Sequence, residues 1–272
     1  MRAPRWQRAL ALGTVAVGAA AIAAACTELP SSPTAPFSLL FSSPNPSIVL
    51  GDSLRDSLGR VAPLQAVAFN ADNQPIPDAD IRYVSLDTGV TVDTLEGFVK
   101  AGSVALNGIR LFAQAGSVPG VPQLVDLVPQ PDSLALLTPE PIGPVLYNFA
   151  DATDVRTYAV NSDSLSVQVL SGTAGVRSWL VSYSLIYRDT VLAARDTTRG
   201  VWLVGDGTAP AGTDTTDTEG RARRFVRVRP SALAGVAESG QDSVTVVIRA
   251  SYAGDTLRGG ERRLVIRIQP KS

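Results

Sequence analysis

Two-residue alternation of apolar and polar side chains, repeated along the chain, constrains this sequence more than any other feature. In residues 164–170, Leu165, Val167 and Val169 fall on one side, while Ser164, Ser166 and Gln168 fall on the other. In residues 177–185, Trp179, Val181, Tyr183 and Leu185 alternate with Ser178, Leu180, Ser182 and Ser184. Residues 243–250 and 263–268 repeat the scheme with Val244, Val246 and Ile248, then Leu264, Ile266 and Ile268. Successive side chains of a strand point to opposite faces, so this is the pattern of half-buried antiparallel strands. Shorter runs occur at Gln65–Phe69, Ile81–Ser85, 89–92, 109–113 and 124–128. No stretch reads as a long amphipathic helix. Turn-forming clusters such as Asn70-Ala71-Asp72-Asn73 and Gly205-Asp206-Gly207 separate the runs. Short strands punctuated by turns predict an all-β chain of sandwiches or barrels.

Composition says how such strands must hold together. Hydrophobic residues make up 45% of the 272-residue chain, enough for packed cores. Cys26 is the one cysteine, so no internal disulfide is available and the cores hold by packing. The chain has no histidine, which excludes His-based triads, His general bases and His metal ligands. Zinc and copper sites built from His and Cys are excluded with them. Without His, and without a Ser-x-x-Lys pattern, no serine is visibly activated as a nucleophile. No glycine-rich phosphate loop is present. The net charge of −1 conceals an asymmetry: residues 27–149 carry 5 basic and 12 acidic side chains, residues 150–272 carry 16 and 13. Unequal charge supports two separate domains, and the small excess in the second half does not predict nucleic-acid binding.

The N-terminus reads as a secretory leader: Arg2, Arg5 and Arg8, then an apolar run from Ala9 to Ala25. That run is short and weakly apolar for a spanning helix. Ala23-Ala24-Ala25 followed by Cys26 resembles the lipobox of bacterial lipoproteins, with Ala23 where that family usually has Leu. The resemblance implies that Cys26 becomes the mature N-terminus and carries lipid. Two or three acyl chains would hold the protein firmly, since each buried CH₂ contributes about 0.8 kcal/mol. Thr27 follows the cysteine, where Asp would imply inner-membrane retention, so the resemblance places the chain at the outer membrane. The remaining alternatives are plain secretion with a free thiol and a retained helix.

Proline marks the expected boundaries. Residues 26–46 are rich in Pro and Ser and predict a flexible stalk. Residues 129–148, with Pro129, Pro131, Pro139, Pro141 and Pro144, predict a linker, or alternatively an edge strand near 133–137. Between them the chain divides into a leader (1–25), a first β-sandwich (47–128) and a second (149–270).

The stretch from Val67 through Asn70-Ala71-Asp72-Asn73-Gln74-Pro75-Ile76-Pro77 to Ile81-Arg82-Tyr83 resembles bacterial Ig-like domains, in which Tyr83 would pack between sheets. Glu96-Gly97-Phe98-Val99 is similar to the glycine-hydrophobic step of the group 2 Ig-like family. The second half resembles group 1, the invasin and intimin type, through 165–170, through 176–183 with Trp179, and through Thr216-Asp217-Thr218-Glu219-Gly220-Arg221-Ala222. It departs from that family by an insertion between Asp189 and Thr218. The fold these resemblances imply is two tandem antiparallel Ig-like sandwiches.

Candidate chemistry is sparse. Arg221, Arg223, Arg227 and Arg229, with Phe225 among them, share one face of a strand and form a candidate surface for an anionic ligand. The competing reading is an outer sheet face kept soluble by cross-strand acids. Arg262, Arg263 and Arg267 extend the stripe if their strand is adjacent. Asp206, Asp214, Asp217 and Glu219 lie in one loop, but their spacing does not match an EF-hand, and no metal or cofactor is expected. Paired carboxylates of a glycosidase kind cannot be read from spacing. Trp179, on an alternating strand, and Trp202, in an apolar run, are expected in the core rather than as sugar platforms. The sequence thus predicts a non-catalytic, lipid-anchored envelope protein serving as a spacer or as an adhesion and interaction module. Surface polysaccharide or another envelope protein is the candidate partner, and a carbohydrate-binding accessory protein is the alternative.

Overall fold

The computed structural model describes residues 34–271. The leader, Cys26 and the first part of the expected stalk lie outside the described residues. Among those described, no helix is long and apolar enough to cross a membrane.

The fold class is all-β, in two units with separate buried clusters. The first unit contains β1 (Ser38–Ser42), β2 (Ser47–Val49), β3 (Gln65–Phe69), β4 (Ile81–Ser85), β5 (Val90–Val92), β6 (Val99–Ala101), β7 (Leu106–Ala115), β8 (Val118–Pro119) and β9 (Gln123–Val128). β2, β9, β7 and β4 form its main sheet in that order, with β1–β3 and β5–β6 as separate ribbons. Alternation decides which side faces in. Ile109, Leu111 and Ala113 of β7 and Val125 and Leu127 of β9 are buried, while their neighbours Arg110 and Leu124 face solvent. Phe41 of β1 and Tyr83 of β4 close the core from the other strands.

The second unit contains β10 (Ser133–Leu136), β11 (Val145–Tyr147), β12 (Val160–Asn161), β13 (Leu165–Ser171), β14 (Ala174–Gly175), β15 (Leu180–Tyr187), β16 (Thr190–Leu192), β17 (Val201–Val204), β18 (Thr213–Thr215), β19 (Arg221–Val228), β20 (Asp242–Tyr252) and β21 (Asp255–Pro270). One short helix, α1 (Ala234–Ser239), precedes β20. The strands run in the order β12-β19-β13-β10-β21-β20-β15-β16. The sheet curls so that Leu165, Val167 and Val169 share a core with Val181, Val246, Ile266 and Ile268. Each such buried aliphatic side chain stabilises the fold by about 1.5–3 kcal/mol. The even-numbered residues 244–250 of β20 and 264–268 of β21 face this core, matching the alternation in the sequence.

Three features differ from the sequence expectation. β1 lies inside the expected stalk, where Ser38–Ser42 pairs with Gln65–Phe69. The expected linker 129–148 carries β10 and β11 and joins the second sheet; β10 is the strand read alternatively near 133–137, but it lies between β13 and β21 rather than at an edge. The prolines of this stretch flank these strands instead of interrupting them, which leaves ladder amides available. The sheets are also not purely antiparallel. In each unit a short early strand joins the last long strand in parallel: β2 with β9, and β10 and β11 with β21. These strands cover edges that would otherwise expose unpaired amides and carbonyls.

Candidate functional site

The two units meet at a joint that carries hydrogen bonds, an ion pair and a ring contact between side chains of both. The loop after β2 brings Asp52 and Arg55 against the β20–β21 hairpin. The Asp52 carboxylate accepts hydrogen bonds from Arg55 Nε at 2.7 Å, from Ser53 N at 2.7 Å and from Tyr252 Oη at 2.7 Å. The Arg55 guanidinium sits 5.7 Å from the Tyr252 ring centroid and donates to the Gly59 carbonyl at 2.8 Å. Burial pushes the Asp52 carboxyl up, but the bonds from Arg55, Tyr252 and Ser53 outweigh it and hold the group below the usual carboxylate range. Burial, with the Asp52 hydrogen bond, pushes Tyr252 up to about 12.

A second strut runs through Asp126 within β9. It accepts from Gly108 N at 2.6 Å within its own unit and from Ser178 Oγ at 2.5 Å across the joint. Arg177 Nε lies 3.2 Å from the same carboxylate, close enough for ion pairing though not aligned as a hydrogen bond. Arg177 also donates to the Leu106 carbonyl at 3.2 Å. Between the struts, Val49 and Val128 pack into the core of the second unit, forming an apolar seam. Gly59 is pressed against the hairpin tip: a Cβ there would lie 2.1 Å from Gly254 N.

Beside this joint is a cleft of about 280 Å³, bordered by Ser47, Asp52, Arg55, Trp179, Ser182, Arg249 and Tyr252 among others. Trp179 is 6% exposed and belongs to the core, as the alternation predicted. Its ring also meets Tyr252, with centroids 6.1 Å apart. Trp202 departs from the sequence reading. It is only half-buried, on the outer side of β17, because its neighbours Val201 and Leu203 take the core positions. It borders a second cleft with Tyr183, whose hydroxyl burial pushes strongly up.

The four arginines of the candidate anionic-ligand surface sit on β19 and just beyond it, interleaved with acids and carbonyls. Arg223 pairs with Asp206 at 2.9 Å, Arg227 donates to Asn161 Oδ1 at 3.2 Å, and Arg229 donates to the Thr197 carbonyl at 3.2 Å. Arg221 is exposed. Arg224, on the inward side, is held by Asp214 at 3.0 Å with 11% of its side chain exposed. Arg262, Arg263 and Arg267 do not extend this face, because β13 and β10 lie between β19 and β21. The acids of the 206–219 loop serve these pairs and the turn. Asp217 Oδ1 accepts from Glu219 N and Arg221 N at 2.9 and 2.8 Å.

Nothing in local sequence pattern announces the joint. Asp52 and Tyr252 are 200 positions apart, and Asp126 and Ser178 are 52 apart. The one available signal was Trp179, which the alternation placed in the core without showing what lies beside it; it stands one residue before β15.

No protein-family profile matches the chain, and no curated protein matches it. Among solved structures, the chain is similar to the Yersinia pseudotuberculosis adhesin InvE at 15% identity and a TM-score of 0.31, covering 84% of this chain and 58% of that one. It is similar to the Escherichia coli adhesin FdeC at 14% identity and a TM-score of 0.30, covering 86% and 65% respectively. The D0-D1 domain of intimin gives 11% identity and a TM-score of 0.26, with 84% and 97% covered. The chain thus spans 58% and 65% of the first two adhesins. Superpositions this loose carry no argument about activity, and the all-β assignment stands on the strands themselves.

Proposed function

We propose that this chain is a non-catalytic module of the cell envelope, lipid-anchored through Cys26, whose two β-units act as one stiff spacer that presents an interaction surface. The observation that carries this reading is the joint. Two polar struts, an apolar seam and the close approach of Gly59 to the hairpin tip hold the units together. Inter-domain contacts more usually permit relative motion unless well packed, so such a joint suits a part that transmits position rather than one that closes on a substrate. The lipid anchor is supported by the basic, apolar and small-residue order before Cys26. Outer-membrane placement rests on Thr27 following that cysteine. Surface polysaccharide or another envelope protein is the expected partner.

Two measurements test this reading. Cys26→Ser is expected to release the protein from membranes with its unfolding transition unchanged, and persistent attachment would rule out the lipid anchor. Spin labels placed on exposed residues of the two units are expected to give one narrow distance distribution. A broad distribution would remove the stiff-spacer reading.

A further inference from the structure

The outer face of β17 and β19 carries positive charge that the fold does not neutralise. The two strands pair so that Trp202 lies opposite Arg227, with Phe225 diagonal to it. All three side chains are half-buried on the side away from the core. The loop before β17 brings further arginines to the same place. Arg229 N donates to the Gly200 carbonyl at 2.7 Å and Arg229 Nη2 to the Thr197 carbonyl at 3.2 Å, which holds residues 197–200 against the end of β19. Gly200 has a φ of +76°, and a Cβ there would lie 2.7 Å from the Ala232 side chain, so the loop is seated closely. Arg199 is exposed in this loop, and Arg195 borders the cleft of about 350 Å³ that Trp202 also lines. Among the described residues, none of Arg195, Arg199, Arg227 and Arg229 forms an ion pair. Arg227 and Arg229 donate to neutral acceptors, Asn161 Oδ1 and the Thr197 carbonyl. Asp196 attracts Arg199, but its Oδ1 already accepts from Thr198 N and Oγ1 at 2.9 and 2.6 Å. The other end of β19 is balanced: Asp206, Asp214 and Asp217 share one cleft with Arg221, Arg223 and Arg224.

A guanidinium with no acid beside it offers its fork to a carboxylate, and an indole with one face open offers a flat apolar surface to a sugar ring. A few such charges held by a seated loop suit a polymer with one carboxylate per ring. A nucleic acid, with a phosphate on every nucleotide, calls for a broader basic field than a chain of net charge −1 provides. We infer that Trp202, Arg195, Arg199, Arg227 and Arg229 bind an acidic polysaccharide, with uronate carboxylates on the guanidiniums and a ring against the indole. This rests on the interaction-module reading and names its partner. It involves neither the lipid anchor nor the joint, so membrane release and spin-label distances report on those separately.

The test is calorimetric titration of the full chain with oligomers of galacturonate, mannuronate and hyaluronan. Methyl-esterified oligogalacturonate supplies the same polymer without its charge, and duplex DNA supplies a different polyanion. Saturable binding of at least one acidic glycan is expected, about tenfold weaker for the ester and for DNA, and falling as salt is raised. Arg195→Glu combined with Arg199→Glu changes two exposed side chains and should weaken binding about tenfold with the unfolding temperature unchanged. Trp202→Ala should weaken it about fivefold. Arg221→Gln lies six residues from Arg227, about 20 Å along the strand and beyond the screening length of about 8 Å at physiological salt, and should leave binding within about twofold. No saturable heat with any acidic glycan overturns the inference. Equal or tighter binding of the ester or of DNA overturns it too, as does binding that survives the paired arginine change or Trp202→Ala. A loss with Arg221→Gln as large as with the paired change would place the ligand elsewhere and overturn it equally.

Discussion

Gly97 shows how a single position can hold a core residue in place. Its φ of +76° lies in the left-handed region, and a Cβ there would come within 3.1 Å of the Tyr83 ring and 3.2 Å of the Leu64 carbonyl. The turn therefore lets Val99 drop into the core while Phe98 stays partly exposed. Gly97→Ala should destabilise the first unit by about 1–3 kcal/mol, since the strain adds to the crowding. An unchanged urea midpoint would mean that the turn relaxes freely. Trp179 carries a larger share of the second unit. Trp179→Ala is expected to cost about 3–5 kcal/mol, read by thermal unfolding. Tyr252→Phe removes one hydrogen bond to Asp52 and should cost about 1 kcal/mol in a denaturant titration. That loss should shrink when Asp52→Asn is already present, because the two side chains act on each other.

Elements, more than residues, decide where the second unit begins. β20 and β21 form a hairpin around Ala253-Gly254, and β21 continues far enough for β10 and β11 to join its other edge in parallel. β10 also pairs with β13, so it ties the two halves of the curled sheet together. A fragment beginning at residue 149 lacks both early strands and exposes a long edge of β21. It is expected to lose near-ultraviolet circular dichroism and to aggregate, while a fragment beginning at 129 keeps a cooperative unfolding transition. Equal behaviour of the two fragments would show that β10 and β11 are dispensable. The same order of strands explains why β19 and β21, both rich in arginine, do not share a basic face.

At the scale of the whole molecule, the joint should respond to pH at both extremes. The lowered Asp52 pKa contributes stability that is complete above the ordinary value of 3.8 and is lost as pH falls below it. The raised Tyr252 pKa contributes stability that is complete below 10 and is lost as pH rises through about 12. The scattering profile of the full chain should therefore be constant between about pH 4 and pH 10 and broaden outside that window. Broadening near neutrality would show that other groups hold the joint. Arg177→Ala should loosen the joint at neutral pH by removing one of the partners of Asp126, and spin-label distances should widen accordingly.

The amino-acid order by itself determined which side chains turn inward, because strand alternation is a local property that a packed core can only confirm. Leu165, Val167, Val169, Val181, Ile266 and the burial of Trp179 were legible for that reason. The turn at Asn70 was equally local: its Oδ1 accepts from Asp72 N and Gln74 N at 3.0 and 2.9 Å. Of the strands in the proline-rich stretches, β10 answers to the alternative strand read near 133–137, whereas β1 and β11 were not legible, because they are short and become strands only when a distant edge offers ladder partners. Trp202 lies in the unbroken apolar run Val201–Val204, and such a run does not encode which residue faces out. The joint and its cleft were decided by tertiary structure alone. Asp52, Ser47, Tyr252 and Trp179 gain their chemistry from meeting across the boundary, and no period, spacing or composition encodes a contact between chain segments 200 residues apart.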